Sequence, residues 1–467
     1  MKWEPKWQAL GIICAGIFIS TLDGSILNVA NPLIAADFSV NMKEVQWVSI
    51  AYMLVITATL LFFGQYGDRI GGQKVYAYGF LVFTGGSLLC SLSSALSYLV
   101  ASRIFQAFGA SMMMATGAGI ISNSFPPEEK GKALGLTSSM VGIGNMAGPV
   151  VGGLVLAHWG WPYIFLINLP LGLLGFYLAL KYLPLQPTSR EKRSYDMVGL
   201  ILFTLGSVSL LLSLSHNNPS RPVMVLATLI FLLGFAYHEK RQLYPLLDFA
   251  LFKIKTFLYG NIMSFLAYIS QIWVMFLLPF YLEEYLQMAP QIMGLYMTIP
   301  PVCMAISAPL AGSLSDRIGS GRLTSVGLFL MTLSHLSFSL LAYGSSMVKI
   351  AVGLMFIGIG MGFFASPNSS SIFRSVPPEK AGYTGGFNAT TRNFSISLGI
   401  AVSAGIFTYV LAWQQQLINP DAAYLSTMGI VFKISALISL GALLLSILTA
   451  KVRNAETKQP PPAQALD

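Results

Sequence analysis

The sequence predicts an all-α polytopic membrane protein, on three observations: too few charges for water, a succession of apolar stretches of bilayer length, and basic residues concentrated in alternate loops. Of 467 residues, 55% are hydrophobic and 10% charged, against about 25% charged in a typical soluble domain. Mean hydropathy is positive. So few charges cannot cover the roughly three soluble domains this length would otherwise allow. Nucleic-acid binding, a disulfide scaffold and intrinsic disorder are poor fits. The net charge of +9 acquires meaning only from where the charges lie.

Three cysteines, Cys14, Cys90 and Cys303, sit in separate apolar runs with no CxxC pair and no histidine cluster nearby. Neither a disulfide framework nor a metal site is expected, and no cofactor. Lys2 and Lys6 precede a long apolar stretch that lacks the short core and A-x-A site of a cleaved signal. It reads as a retained first membrane helix.

About 20 apolar residues cross about 30 Å of hydrocarbon. That ruler places fourteen spans near 8–36, 45–63, 75–94, 98–124, 134–157, 161–183, 196–215, 222–238, 257–282, 290–312, 323–343, 346–371, 383–411 and 425–450. With the N-terminus cytoplasmic, only Lys43, Arg221 and Lys349 of the 27 Lys/Arg residues fall in outer loops, and Arg103, Arg392 and Lys433 within spans. The remainder lie inside, which is the positive-inside rule. An even span count puts both termini in the cytoplasm of a cell membrane, and we expect a bacterial one. Trp47, Trp159, Trp161 and Trp413 fall at outer interfaces, and Trp3 and Trp7 at the inner one.

An internal repeat organises the spans. The segment Gly64-Gln-Tyr-Gly-Asp68-Arg69-Ile-Gly71 returns at Gly312 as Gly-Ser-Leu-Ser-Asp316-Arg317-Ile-Gly319, and Pro126-Pro-Glu-Glu-Lys-Gly131 returns at Pro377 as Pro-Pro-Glu-Lys-Ala-Gly382. The offsets, 248 and 251 residues, exceed six helices and leave room for two more. Expected domains are therefore a six-helix bundle at 1–183, two inserted helices with linkers at 184–256, a second six-helix bundle at 257–450, and a disordered tail at 451–467. Parallel repeats about an axis along the membrane normal mark a secondary transporter with a site near the midplane.

These residues resemble the major facilitator superfamily, and within it the fourteen-helix drug:proton antiporters. Gly64 to Lys74 is similar to the loop motif G-x-x-x-D-R-x-G-x-x-K. Arg103-x-x-Gln106-x-x-Gly109 is similar to the fourth-helix motif, with Ala107 where Gly is usual. Gly144-x-x-x-Gly148-Pro149-x-x-Gly152-Gly153 is similar to the fifth-helix motif of exporters. Leu22 to Pro32 resembles the first-helix motif, with Ser25 where Thr is usual and Asn31 where Leu is usual. The resemblance implies the major facilitator fold: two six-helix bundles plus two inserted helices.

Asp23 is the only acidic side chain deep within a span. Such a carboxyl faces a cavity, pairs or takes a proton. At 1.5 Å per residue it lies roughly 22 Å above the inner face, and Arg103, on a helix running the other way, roughly 8 Å below the outer one. In a core of about 30 Å these depths coincide. Asp23 is expected to carry the proton with Arg103 as its partner; the alternative is a permanent salt bridge that fixes packing. Gly144, Gly148, Gly152 and Gly153 permit close helix approach and Pro149 a bend, expected at a seam between the halves. Asp68/Arg69 and Asp316/Arg317 are expected in tight cytoplasmic turns, Gly64 and Gly71 included, with Asp68 at a helix N-terminus as part of a latch. Met113, Gln271, Trp273 and Asn368 are weaker candidates for lining a cargo cavity. Arg392 and Lys433 suit snorkelling or anionic lipid.

Without a Walker loop, ATP is not the expected fuel. The four histidines are scattered over different elements, which argues against a membrane enzyme. The expected function is proton-coupled export of small hydrophobic or cationic compounds, multidrug efflux and antibiotic resistance included, by alternating access at one proton per cycle. The expected partners are cargo, protons and membrane lipid, and no nucleic acid. A lipid or glycolipid translocase, or a dedicated metabolite exporter, on the same fold is the rival.

Overall fold

The computed structural model describes residues 4–40, 42–185, 196–214, 221–242, 246–288, 290–342 and 345–456. All regular structure among them is helical, and the helices gather into two compact units. The first comprises residues 1–196 together with 376–390, and the second residues 197–375 and 391–467.

The first unit holds α1 (Pro5–Asp37), a short α2 (Met42–Val45), α3 (Trp47–Ile70), α4 (Gly72–Ser91), α5 (Leu96–Ser124), α6 (Lys130–His158) and the short α7 (Pro162–Leu166) before α8 (Asn168–Tyr182). Pro5 opens α1 at the position where its missing N–H costs nothing. At the same end of the bundle, where Trp7 packs on Phe125, α5 stops ahead of Pro126 and Pro127. The helices pack as α1 on α6, α4 on α5, α3 on α5 and α4 on α8. Their core is an apolar cluster including Leu22, Ile26, Leu27, Val48, Leu99, Val155, Trp161 and Phe165.

The second unit contains α9 (Met197–Leu214) and α10 (Arg221–Arg241), which pack as a hairpin, and the short α11 (Phe249–Phe252). It continues with α12 (Lys255–Glu284), the short α13 (Pro290–Met297), α14 (Ile299–Ile318), α15 (Ser320–Ser339) and α16 (Met347–Arg374). From α17 (Ala381–Gln414) it takes residues 391 onward, then α18 (Pro420–Glu456). Here α14 and α15 pack on α16, and α18 on α12 and α15. The core gathers Trp273, Leu278, Tyr281, Phe338, Ile357, Met428 and Phe432.

A helix occupies each of the fourteen expected spans. Eleven are long and apolar enough to cross a membrane by length and composition among the described residues. The others are α4, α9 and α15. In α15 the shortfall has a clear cause: buried Thr324, Thr332, Ser334 and His335 make it polar on the side facing its neighbours.

Three sequence expectations need correction. The glycine-rich segments are not turns throughout. Helix α3 continues to Ile70 and α14 to Ile318, and each reverses at a single glycine, Gly71 with φ +101° and Gly319 with φ +90°. Only glycine takes such a φ without strain. Trp161 is no interfacial anchor: it is buried, and its Nε1 donates to Asp37 Oδ2 at 2.8 Å. Finally, α18 runs past the expected end of the last span to Glu456; residues 457–467 of the expected disordered tail lie outside the described residues.

Candidate functional site

Asp23 stands midway along α1 and Arg103 in the second turn of α5. The two side chains meet, with Arg103 Nη1 donating to Asp23 Oδ2 at 2.6 Å. Residues i and i+3 share a helix face, so Gln106 follows Arg103 into the same cluster. Its Nε2 donates to Asp23 Oδ1 at 3.0 Å, and its Oε1 accepts from Arg103 Nη1 at 2.6 Å. Asn168, the first residue of α8, donates through Nδ2 to the same Asp23 Oδ1 at 2.9 Å. From α4, Ser87 Oγ accepts from Gln106 at 2.8 Å and from Asn168 at 3.2 Å, and donates to Phe83 O at 2.9 Å.

The guanidinium is held on its other sides too. Arg103 Nε donates to Val48 O at 3.4 Å, and the cation lies 4.0 Å from the centroid of the Tyr52 ring, a cation–π distance. The cluster is sealed: Asp23 is 3% exposed and Arg103 1%. Five helices, α1, α3, α4, α5 and α8, therefore meet on one ion pair.

Breaking a buried pair by neutralising one partner leaves an uncompensated charge and costs about 3–5 kcal/mol. A proton arriving on Asp23 would do just that to Arg103.

Sequence reasoning paired Asp23 with Arg103 but gave no role to Gln106, Asn168, Ser87 or Tyr52. Gln106 stood within the quoted fourth-helix motif, and Asn168 is the only amide side chain in its span. Those were the available signals.

Beside the cluster, α6 lies on α1. Gly144, Gly148 and Gly152, at i, i+4 and i+8, form one face. An added Cβ at Gly144 would strike the Thr21 side chain, at Gly148 the Ser25 side chain and backbone, and at Gly152 would lie 3.2 Å from Ile26. Ser25 Oγ donates to Gly144 O across this seam at 3.1 Å. The glycine seam thus lies within the first unit, not at the expected seam between the halves; Gly153 and Pro149 are exposed. Gly148→Leu is expected to force α1 and α6 apart two residues from Asp23 and to lower turnover at least tenfold. Turnover equal to wild type, with the variant present at normal level in the membrane, would refute this.

Asp68 occupies the last turn of its own helix, α3, not the first turn of a helix as expected from sequence. The N-terminus it serves is that of α17. Its carboxylate accepts from the backbone N–H of Gly382 and of Tyr383, both at 2.7 Å, where the helix dipole favours a negative charge. Asn123 Nδ2 donates to Pro378 O at 3.1 Å. The start of α17 fits a notch made without side chains. A Cβ on Gly64 would come within 2.6 Å of Gly382 O, one on Gly119 within 2.8 Å of Ala381 O, and one on Gly386 within 2.6 Å of Leu60 O. In the second unit Asp316 pairs with Arg374. Arg69 is half-buried and Arg317 exposed, each in the last turn of its helix.

The four cargo candidates are not brought together. Met113 is buried where α5 meets Gly79 of α4. Trp273 is 1% exposed in the second core. Asn368 is buried and ties α16 to α12, its Nδ2 donating to Gly260 O at 2.9 Å and Ser264 Oγ at 3.0 Å. Gln271 is half-buried on α12.

Comparison with known proteins places this geometry in context. A family model described as Major Facilitator Superfamily matches residues 13–400 and 260–466. The riboflavin transporter RibZ of Clostridioides difficile is 46% identical over 95% of this chain and 97% of its own. The tetracenomycin C resistance and export protein of Streptomyces glaucescens is 29% identical, covering 85% of this chain and 75% of that one. Among solved structures, the human organic anion transporter MFSD10 superposes with a TM-score of 0.66 at 14% identity, covering 94% of this chain and 100% of that one.

Proposed function

The chain belongs to the Major Facilitator Superfamily, a family of membrane transporters, and we propose that within it the protein is a proton-coupled carrier of riboflavin or a similarly flat heterocyclic molecule. The likeness to RibZ over nearly the whole of both chains supports the cargo. The coupling rests on one observation, the sealed Asp23–Arg103 pair, whose carboxylate also accepts from Gln106 of α5 and Asn168 of α8. In the proposed cycle the ionised pair locks α1 against α5. Access from one side lets a proton reach Asp23, Arg103 loses its counter-charge, and the helices move to the alternative arrangement. Cargo binding favours one arrangement and protonation the other, so neither completes the cycle alone. The membrane is that of a bacterial cell, with both termini cytoplasmic.

A single carboxyl implies one proton per cycle. A gradient of one pH unit supplies about 1.4 kcal/mol per proton, enough for about tenfold accumulation of cargo, and potential adds about 2.3 kcal/mol per charge per 100 mV. The glycine seam between α1 and α6, which resembles the exporter motif, favours a second reading: outward exchange of hydrophobic or cationic drugs for protons.

Purified protein in vesicles decides between them. Added riboflavin is expected to dissipate an imposed pH gradient and to accumulate roughly tenfold per pH unit. The sign of the proton flux distinguishes exchange from co-transport. If cationic dyes move protons and riboflavin does not, the second reading replaces the first.

A further inference from the structure

We infer that a groove between α1 and α8 is a binding site for one acyl chain of an anionic phospholipid, with the phosphate held at the end of the groove formed by Trp7 and Tyr182. The groove has a volume of about 430 Å³ and is lined on α1 by Trp7, Gly11, Ala15 and Ile19, and on α8 by Leu174, Gly175, Leu178 and Tyr182. Its walls are apolar apart from Gln8. A Cβ at Gly11 would meet nothing within 4 Å, so the hollow is real space beside α1.

Length and charge select the occupant. From Trp7 to Ile19 the groove follows α1 for about 18 Å at 1.5 Å per residue. That is slightly more than half of a hydrocarbon core of about 30 Å, so it holds a chain from one leaflet. Lys132 Nζ lies 5.3 Å from the Trp7 ring centroid and Lys181 Nζ 5.1 Å from that of Tyr182. Lys6 is beside Trp7 at 6.0 Å, but Glu129 holds it at 2.8 Å and Glu4 lies 3.4 Å away. Lys132 and Lys181 thus stand at the two aromatic walls of the mouth, and Lys181 also donates to Tyr177 Oη at 3.2 Å. A zwitterionic lipid would fill the same hollow without using them.

The occupant would also bear on the proposed carrier. The groove ends at Ile19, and Asp23 lies one helical turn farther along α1. A chain seated there braces α1 along the face of Gly11 and Ala15, while Tyr76 closes on Gly16 from within the bundle.

The test needs no transport. The full chain is released into a mass spectrometer from nanodiscs of phosphatidylcholine and phosphatidylglycerol, and retained lipid is weighed. Wild type is expected to keep one phosphatidylglycerol. Gly11→Leu fills the hollow and should lose it while keeping wild-type thermal stability. Lys132→Gln with Lys181→Gln should keep a lipid but lose the headgroup preference, at about fivefold per lysine. Equal retention by wild type and Gly11→Leu overturns the inference, and so does equal retention of the two headgroups by wild type. Failure here leaves the riboflavin reading standing, since no arm measures flux.

Discussion

Asp23→Asn is expected to lower the stability of the protein by about 3–5 kcal/mol, the cost of leaving Arg103 charged and unpaired in a sealed site. The single variant would therefore fail to transport whether Asp23 carries the proton or only holds helices together. The pair Asp23→Asn with Arg103→Gln separates the two. It removes both charges while amide groups keep hydrogen-bonding capacity beside Gln106, Asn168 and Ser87. Thermal unfolding in detergent should return close to wild type. Exchange of labelled riboflavin across vesicles at equal pH should persist, while accumulation driven by a pH gradient should fall at least tenfold. If the double variant still concentrates cargo at the expense of protons, the ion pair is a packing device and the proton binds elsewhere.

Asp68→Asn is the second large effect. The carboxylate serves two backbone N–H groups at the head of α17. Asparagine keeps one acceptor, and its amide nitrogen confronts the second N–H with another donor. Hydrogen bonds to a charged group are worth about 1.5–3 kcal/mol each, so losing one and spoiling its neighbour shifts the equilibrium of this contact by about a hundredfold at 1.4 kcal/mol per decade. Hydrogen exchange at Gly382 and Tyr383 should change from protected to fast, and turnover should drop at least tenfold at nearly unchanged expression. Persistent protection of those two amides would mean that the glycine notch, not the carboxylate, holds the start of α17.

The bilayer explains which features could be read in advance. It imposes a ruler on every span, so the places of the helices and the meeting of Asp23 with Arg103 followed from counting residues. It also makes a buried charge expensive enough to stand out. Neutral polar groups carry no such penalty. Asn168 and Ser87 resemble the many serines and amides that bond locally within membrane helices, and only the fold shows that Asn168 reaches the Asp23 carboxylate and that Ser87 accepts from Asn168 and from Gln106. Glycine was ambiguous for the same reason. Gly71 is needed for its backbone angle, whereas Gly64, Gly119 and Gly148 are needed because another backbone or side chain occupies the place of a Cβ. A sequence records the absence of a side chain but not which of these uses required it. Met113, Trp273 and Asn368 fit a cargo cavity by residue type, yet each is buried against protein, a distinction that depends on helix rotation.

The insertion of residues 376–390 into a unit otherwise built from the first 196 residues has a consequence for biosynthesis. At about 5–20 residues per second, a ribosome needs about ten to forty seconds to travel from the end of α8 to the head of α17. Throughout that interval the nascent first bundle carries an open notch at Gly64 and Gly119 and a carboxylate without its amides. Chaperoning of that half-made surface, by lipid or by the insertion machinery, becomes a step in the life of the protein, and mutations in the notch should be detected first as a fault of assembly.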